Sequence, residues 1–85
     1  MPGKKKKRPT SVLLGEQLRA ARAAVDITQE ELGFRADLDR TYISQLENGH
    51  KSLTVDVLFR LAEELGVEAS ELLAGVERSL GSRRK

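Results

Sequence analysis

The sequence predicts an all-α fold of five short helices with a helix-turn-helix at its centre. Three observations point there. Helix-capping signals recur ahead of apolar stretches, apolar residues fall three and four apart, and no segment carries strand signals. The first helix is expected over residues 12–24, where Leu14, Leu18, Ala21 and Val25 make an apolar stripe. Thr28 is a good N-cap for a second helix over about 29–36. Glu31 completes a capping box there, and Ile27 and Leu32 are spaced as a hydrophobic staple. The pattern then repeats. Asp39 caps a third helix over about 40–47, with Leu38 and Ile43 as its staple. Only Asp37 and Leu38 lie between these two helices, and so short a connection sets them at a steep angle. Gly49 is placed to end helix three in the left-handed region. Thr54 caps helix four, with Leu53 and Leu58 as staple and Leu58, Leu61, Ala62 and Leu65 as the inner stripe, and Gly66 ends it. Helix five starts near Ala69 and carries Leu72, Leu73, Val76 and Leu80. Gly75 weakens it by roughly 1 kcal/mol relative to alanine.

Composition excludes several functions. Eighty-five residues make one domain with a small core, so dimerisation would help its stability. There is no cysteine, which removes disulfides and thiolate metal sites. His50 is the only histidine, and no HExxH and no glycine-rich phosphate loop appears. The carboxylates fall at exposed helical positions. We therefore expect no enzyme, no metal site and no cofactor. No apolar run approaches the ~18 residues of a membrane span, and no signal-peptide core is visible, so the expected location is cytoplasmic.

The formal charge of +2 is unevenly distributed. Residues 4–8 and 83–85 hold eight of the fifteen basic residues, so 9–82 carry seven against thirteen acidic ones, a net of −6. The chain divides into a disordered basic arm at 1–10, a folded domain at 11–80 and a basic tail at 81–85. The acids Glu63, Glu64, Glu68, Glu71 and Glu77 all lie late in the chain, away from Arg35, Arg40, His50 and Lys51.

Helix three has a polar face that asks for an explanation. Ile43 and Leu46 face inward, and Arg40, Thr41, Ser44, Gln45 and Asn48 fall on the other side. These side chains both donate and accept hydrogen bonds, which suits base edges. Arginine pairs with guanine, glutamine with adenine, and threonine touches the thymine methyl. The plain alternative is a solvated helix face, and the capped helix and tight turn ahead of it favour the DNA reading.

Residues 28–32 (TQEEL), 38–49 (LDRTYISQLENG) and 58–67 (LFRLAEELGV) resemble the Cro and phage-repressor type of helix-turn-helix domain, the xenobiotic-response-element family. The resemblance covers about 14–73. The string GFRADLDRTYISQLENG is also similar to the controller proteins of restriction–modification systems. The resemblance implies a repressor-like DNA-binding domain in which Arg40, Thr41, Ser44 and Gln45 enter the major groove. It implies that Gln29, Asn48 and Lys51 touch the DNA backbone. The Tyr42 hydroxyl is read as a further backbone contact, with partial core packing as the alternative. It also implies a structural ion pair between Arg22 and Glu47. The expected partner is double-stranded DNA, bound as a homodimer on a pseudo-palindrome with half-sites about 34 Å apart. Leu72, Leu73, Val76 and Leu80 are the expected dimer surface, with completion of the monomer core as the alternative. No small-molecule ligand is expected. Family analogy suggests autoregulation, nucleoid association and a restriction–modification or antitoxin-like context.

Departures from the pattern are Asp26 and Asp37 where glycine is usual, Gly33 where alanine is usual, and Leu53 where proline is usual. The basic arm has three readings: a DNA-groove contact, a solvated tail that speeds association, or a nuclear localisation signal. The rival function is a protein-binding bridging or coactivator-like module, or an antitoxin-type regulator acting through a protein partner.

Overall fold

The computed structural model describes residues 9–84, with side chains from 10 to 81. The order is α1 (Pro9–Ala24), α2 (Gln29–Ala36), α3 (Arg40–Glu47), α4 (Val55–Leu65) and α5 (Ala69–Arg84). Among the described residues there is no strand. The lysine run at 4–7 and Arg8, with every reading of them, lie outside the described residues.

Two boundaries differ from expectation. α1 starts at Pro9, three residues early and inside the segment read as an arm. Proline has its φ preset for a first helical turn and has no N–H to leave unpaired there. α5 runs on to Arg84, through most of the segment read as a tail. Gly75 does not break it, because α5 packs along α1. A Cβ at Gly75 would stand 2.2 Å from Oε1 of Gln17. The glycine costs helix propensity and admits the α1 side chain.

The core is one cluster fed by every helix. It holds Leu18 from α1, Leu32 and Ala36 from α2, and Ile43 and Leu46 from α3. Leu58, Leu61, Ala62 and Leu65 come from α4, and Ala69 and Leu72 from α5. α1 lies against α3 and α5, while α2 lies against α3 and α4. α3 is thereby clamped from two sides, and its free face is turned outward. The α4 stripe read from the sequence is buried throughout, whereas of the α1 stripe Leu18 is buried, Leu14 and Ala21 are half-buried, and Val25 is 44% exposed.

The first four helices end alike. After α1, the N–H groups of Asp26 and Ile27 donate to the carbonyls of Ala23 and Arg22. Asp37 and Leu38 donate to Phe34 and Gly33, Gly49 and His50 to Leu46 and Gln45, and Gly66 and Val67 to Glu63 and Ala62. Each is a Schellman closure with one residue in the left-handed region, at φ 58° for Asp26, 59° for Asp37, 74° for Gly49 and 73° for Gly66. Aspartate thus fills the two sites where the resemblance implies glycine, as the sequence allows, and at an energetic cost that glycine avoids.

The starts differ more from expectation. Thr28 and Thr54 cap as read, each Oγ1 accepting from the third residue onward, Glu31 at 3.0 Å and Val57 at 3.2 Å. The capping box at α2 is only half closed, since the Glu31 carboxylate accepts from Nε of Arg35 instead. Asp39 has N-cap backbone geometry but its side chain makes no capping bond. Its carbonyl accepts from the N–H groups of Tyr42 and Ile43, so the backbone alone starts α3.

Two glycines set helix distances. A Cβ on Gly33 would lie 2.5 Å from the Leu38 carbonyl, so this turn takes glycine rather than any small residue. A Cβ on Gly15 would lie 2.5 Å from the Leu46 carbonyl and 2.6 Å from that of Glu47. Gly15→Ala therefore lowers thermal stability by about 1–3 kcal/mol through overpacking, although alanine is the better helix former by about 1 kcal/mol. Calorimetry checks this, and an unchanged or raised Tm contradicts it.

Candidate nucleic-acid interface

α3 is two-faced because its anchors are so deep. Ile43 and Leu46 are each 1% exposed, and the eight-residue helix has little freedom to roll on them. Arg40, Thr41 and Asn48 are exposed, and Ser44 and Gln45 are half-buried. Tyr42 is also half-buried and packs on the core cluster, so its ring has the packing role weighed for it.

Glu47 is the buried charge of this unit, 4% exposed at the end of α3. Arg22 reaches it from α1 with a planar fork, Nε at 2.6 Å from Oε2 and Nη2 at 2.9 Å from Oε1. Nη1 of Arg22 donates to the Ile27 carbonyl at 2.8 Å, tying in the α1–α2 turn. Nε2 of Gln29 donates to Oε1 of Glu47 at 3.0 Å. Arg19 approaches the same oxygen, with Nε at 3.6 Å. The expected Arg22–Glu47 pair is thus a network joining α1, α2 and α3.

Burial by itself raises the pKa of Glu47. The hydrogen bonds from Arg22 and Gln29, with the charges of Arg22 and Arg19, outweigh it, so the carboxyl sits below its ordinary value. The pKa of Arg22 is raised, chiefly by its hydrogen bond to Glu47. The pair is therefore ionised at neutral pH.

An open depression joins the start of α2 to the start of α3, lined by Arg22, Thr28, Gln29, Glu30 and Arg40. The Arg40 guanidinium and the N-terminus of α2 suit an anion such as a phosphate, with Glu30 at the rim opposing it, while the Arg22 guanidinium is already committed to Glu47 and the Ile27 carbonyl. Gln29 and Arg40 are thus brought together on one side. Ser44 and Asn48 are brought together at the other end of α3, where Nδ2 of Asn48 donates to Oγ of Ser44 at 3.5 Å. Lys51 stands apart from both. It is exposed in the loop after α3 and lines a small cleft with Thr10, Ser11, Leu14, Ser52 and Leu53 at the start of α1. Oγ of Ser11 and Oγ of Ser52 are 3.2 Å apart and hold that loop to α1.

Of the four residues expected at a dimer surface, two are buried within the monomer. Leu72 is 4% and Val76 5% exposed, because α5 turns both against the rest of the domain. Leu73 remains 43% exposed, and Leu80 is half-buried. The exposed apolar side chains that sequence reasoning passed over are Phe34 at 84%, Val55 at 69% and Phe59 at 60%. Val55 and Phe59 are four apart on α4 and share one face, a spacing visible in the sequence. Arg19 was also missed. It stands three residues before Arg22, on the same side of α1, and that spacing was its signal.

Among the described residues no cluster of three or more histidines or carboxylates is arranged to hold a metal, and no helix is long and apolar enough to cross a membrane.

Comparison with known proteins agrees with this architecture. A helix-turn-helix family model matches residues 18–72. The chain is 36% identical over 63 residues to the control protein C.BamHI of Bacillus amyloliquefaciens, covering 73% of this chain and 78% of that one. The crystal structure of the restriction-modification controller protein C.AhdI from Aeromonas hydrophila superposes with a TM-score of 0.74 at 34% identity, over 76% of this chain and 98% of that one. The clp gene regulator ClgR from Corynebacterium glutamicum gives a TM-score of 0.83 at 25% identity, over 93% and 84%.

Proposed function

Because the chain belongs to the helix-turn-helix family, we propose that it is a transcription regulator that reads a specific double-stranded DNA site with α3. The observation that carries this reading is the outer face of α3. Arg40, Thr41, Ser44 and Gln45 stand on a helix fixed to the core by Ile43 and Leu46. Base-reading side chains discriminate only if their helix cannot slide or roll in the groove, and this one is clamped by α1 and α2 together. Gln29, Tyr42, Asn48 and Lys51 serve as phosphate contacts that set register.

The regulator acts as a homodimer on an inverted repeat. With Leu72 and Val76 committed to the core, the second copy is met by exposed Leu73 and half-buried Leu80 on α5 and by exposed Val55 and Phe59 on α4. The likeness to C.BamHI and C.AhdI supports control of a restriction–modification operon, including the regulator's own gene.

Retention of sheared DNA from the source genome by the purified chain, at about 150 mM salt, tests the reading. Enrichment of one inverted repeat is expected, upstream of the regulator's own gene. Retention with no enriched motif overturns sequence-specific regulation and leaves a bridging role through protein contacts. On the enriched site, Arg40→Ala costs about 1–3 kcal/mol and relaxes specificity at one base pair. Equal losses on the site and on random DNA of the same length remove Arg40 from the base readers.

A further inference from the structure

We infer that Arg19 is a positioning residue for DNA binding. It holds the Asn48 side-chain amide so that its NH2 end, and not its carbonyl, faces the phosphate. The inference rests on the function proposed above and deepens it. Nη2 of Arg19 donates to Oδ1 of Asn48 at 2.9 Å, a bond between α1 and the residue that closes α3. Nε of the same guanidinium is drawn towards the buried Glu47 carboxylate, 3.6 Å from Oε1. The Arg19 side chain is 54% exposed, whereas that of Glu47 is 1% exposed. One planar group thus links a charge fixed in the interior to an amide at the surface.

The chemistry of an amide makes this link matter. An asparagine carries an acceptor at one end and two N–H donors at the other, and the two ends have nearly the same shape. A phosphate oxygen accepts from the donor end and is repelled by the acceptor end. An unrestrained amide spends part of its time the wrong way round. Arg19 is a donor only, so it can hold Asn48 by the carbonyl and by no other end. The NH2 end is then turned towards Oγ of Ser44. That line ends on a residue of the reading face, so Arg19, Asn48 and Ser44 connect the Glu47 network to the groove side of α3. A lysine at position 19 keeps the charge but loses the planar group that places Nη2 on Asn48 and Nε 3.6 Å from the interior carboxylate, so its single ammonium cannot occupy both positions.

A double-mutant cycle on the enriched DNA tests this. Affinity is measured for the unaltered chain, Arg19→Lys, Asn48→Ala and the double variant, at several salt concentrations. Asn48→Ala is expected to weaken binding about tenfold. Arg19→Lys is expected to weaken it about three- to tenfold at an unchanged Tm, and the double variant to be no weaker than Asn48→Ala alone. Because Arg19→Lys keeps the charge, its salt slope stays that of the unaltered chain. Losses that multiply in the double variant overturn the inference, as does full affinity in Arg19→Lys. Failure of the unaltered chain to prefer any DNA sequence defeats the proposed function, and this inference with it. Multiplying losses on a well-preferred site defeat only the role of Arg19.

Discussion

Glu47→Ala is expected to destabilise the domain by about 3 kcal/mol, whereas Glu77→Ala stays within about 0.5 kcal/mol. At roughly 4–8 °C per kcal/mol for a chain of this size, the first lowers the Tm by more than about 10 °C. The pair itself need contribute little, since burying two charges offsets most of their attraction. The cost comes from what remains when one partner goes. Arg22 keeps only 17% side-chain exposure and loses two of its three acceptors, retaining the Ile27 carbonyl. Gln29 loses its acceptor as well. Similar melting temperatures for Glu47→Ala and Glu77→Ala would remove the network from the account of stability.

The same network has a pH signature. The folded-state pKa of Glu47 is lowered from its ordinary 4.5. Its contribution is therefore fully present above the unfolded value and is lost as pH falls through the lowered one. Arg22 stays protonated throughout this range and adds no pH dependence of its own. Denaturant unfolding followed from about pH 7 to about pH 2 should show a steeper acid limb in the unaltered chain than in Glu47→Gln. Parallel acid limbs would mean that other carboxylates carry the whole acid transition.

Leu72→Ala is expected to cost about 2–5 kcal/mol, at any protein concentration. Leu73→Ala is expected to leave the monomer nearly unchanged and to weaken self-association. The two residues are neighbours on α5 with opposite fates, 4% exposed against 43%. Leu72 belongs to the core cluster, and its removal leaves a cavity that α1 and α4 cannot close without moving. Leu73 has no such cavity to leave. Unfolding measured over a hundredfold range of concentration, with sedimentation of each variant, separates the two effects. A Leu72→Ala loss that shrinks at high concentration would return Leu72 to the dimer surface.

The helix order and most of the apolar faces were legible because they are local. Leu58, Leu61, Ala62 and Leu65 are spaced for one face whatever they pack on, and that face is buried. Thr28 and Thr54 read as caps because a cap involves residues only three apart. Asp39 read as a cap by the same rule and is not one, since a backbone carbonyl can start α3 unaided. The polar set on α3 was legible for a similar reason, being the side of a short helix opposite two large apolar residues.

What the sequence by itself determined is the set of helices, the turn at Asp37, the left-handed closures at Asp26, Asp37, Gly49 and Gly66, and membership of a DNA-binding family through the 28–49 string. The tertiary structure alone decided that Leu72 and Val76 complete the monomer, that Gly15 is the contact point of α1 and α3, and that Arg19 holds Asn48. It also decided that Gln29 joins the Glu47 carboxylate. The physical reason is separation along the chain. Arg19 and Asn48 are 29 residues apart, Arg22 and Glu47 are 25, and Gln29 and Glu47 are 18. A helical period reports which residues share a face. It does not report which other helix that face will meet, and only packing of the whole chain supplies that.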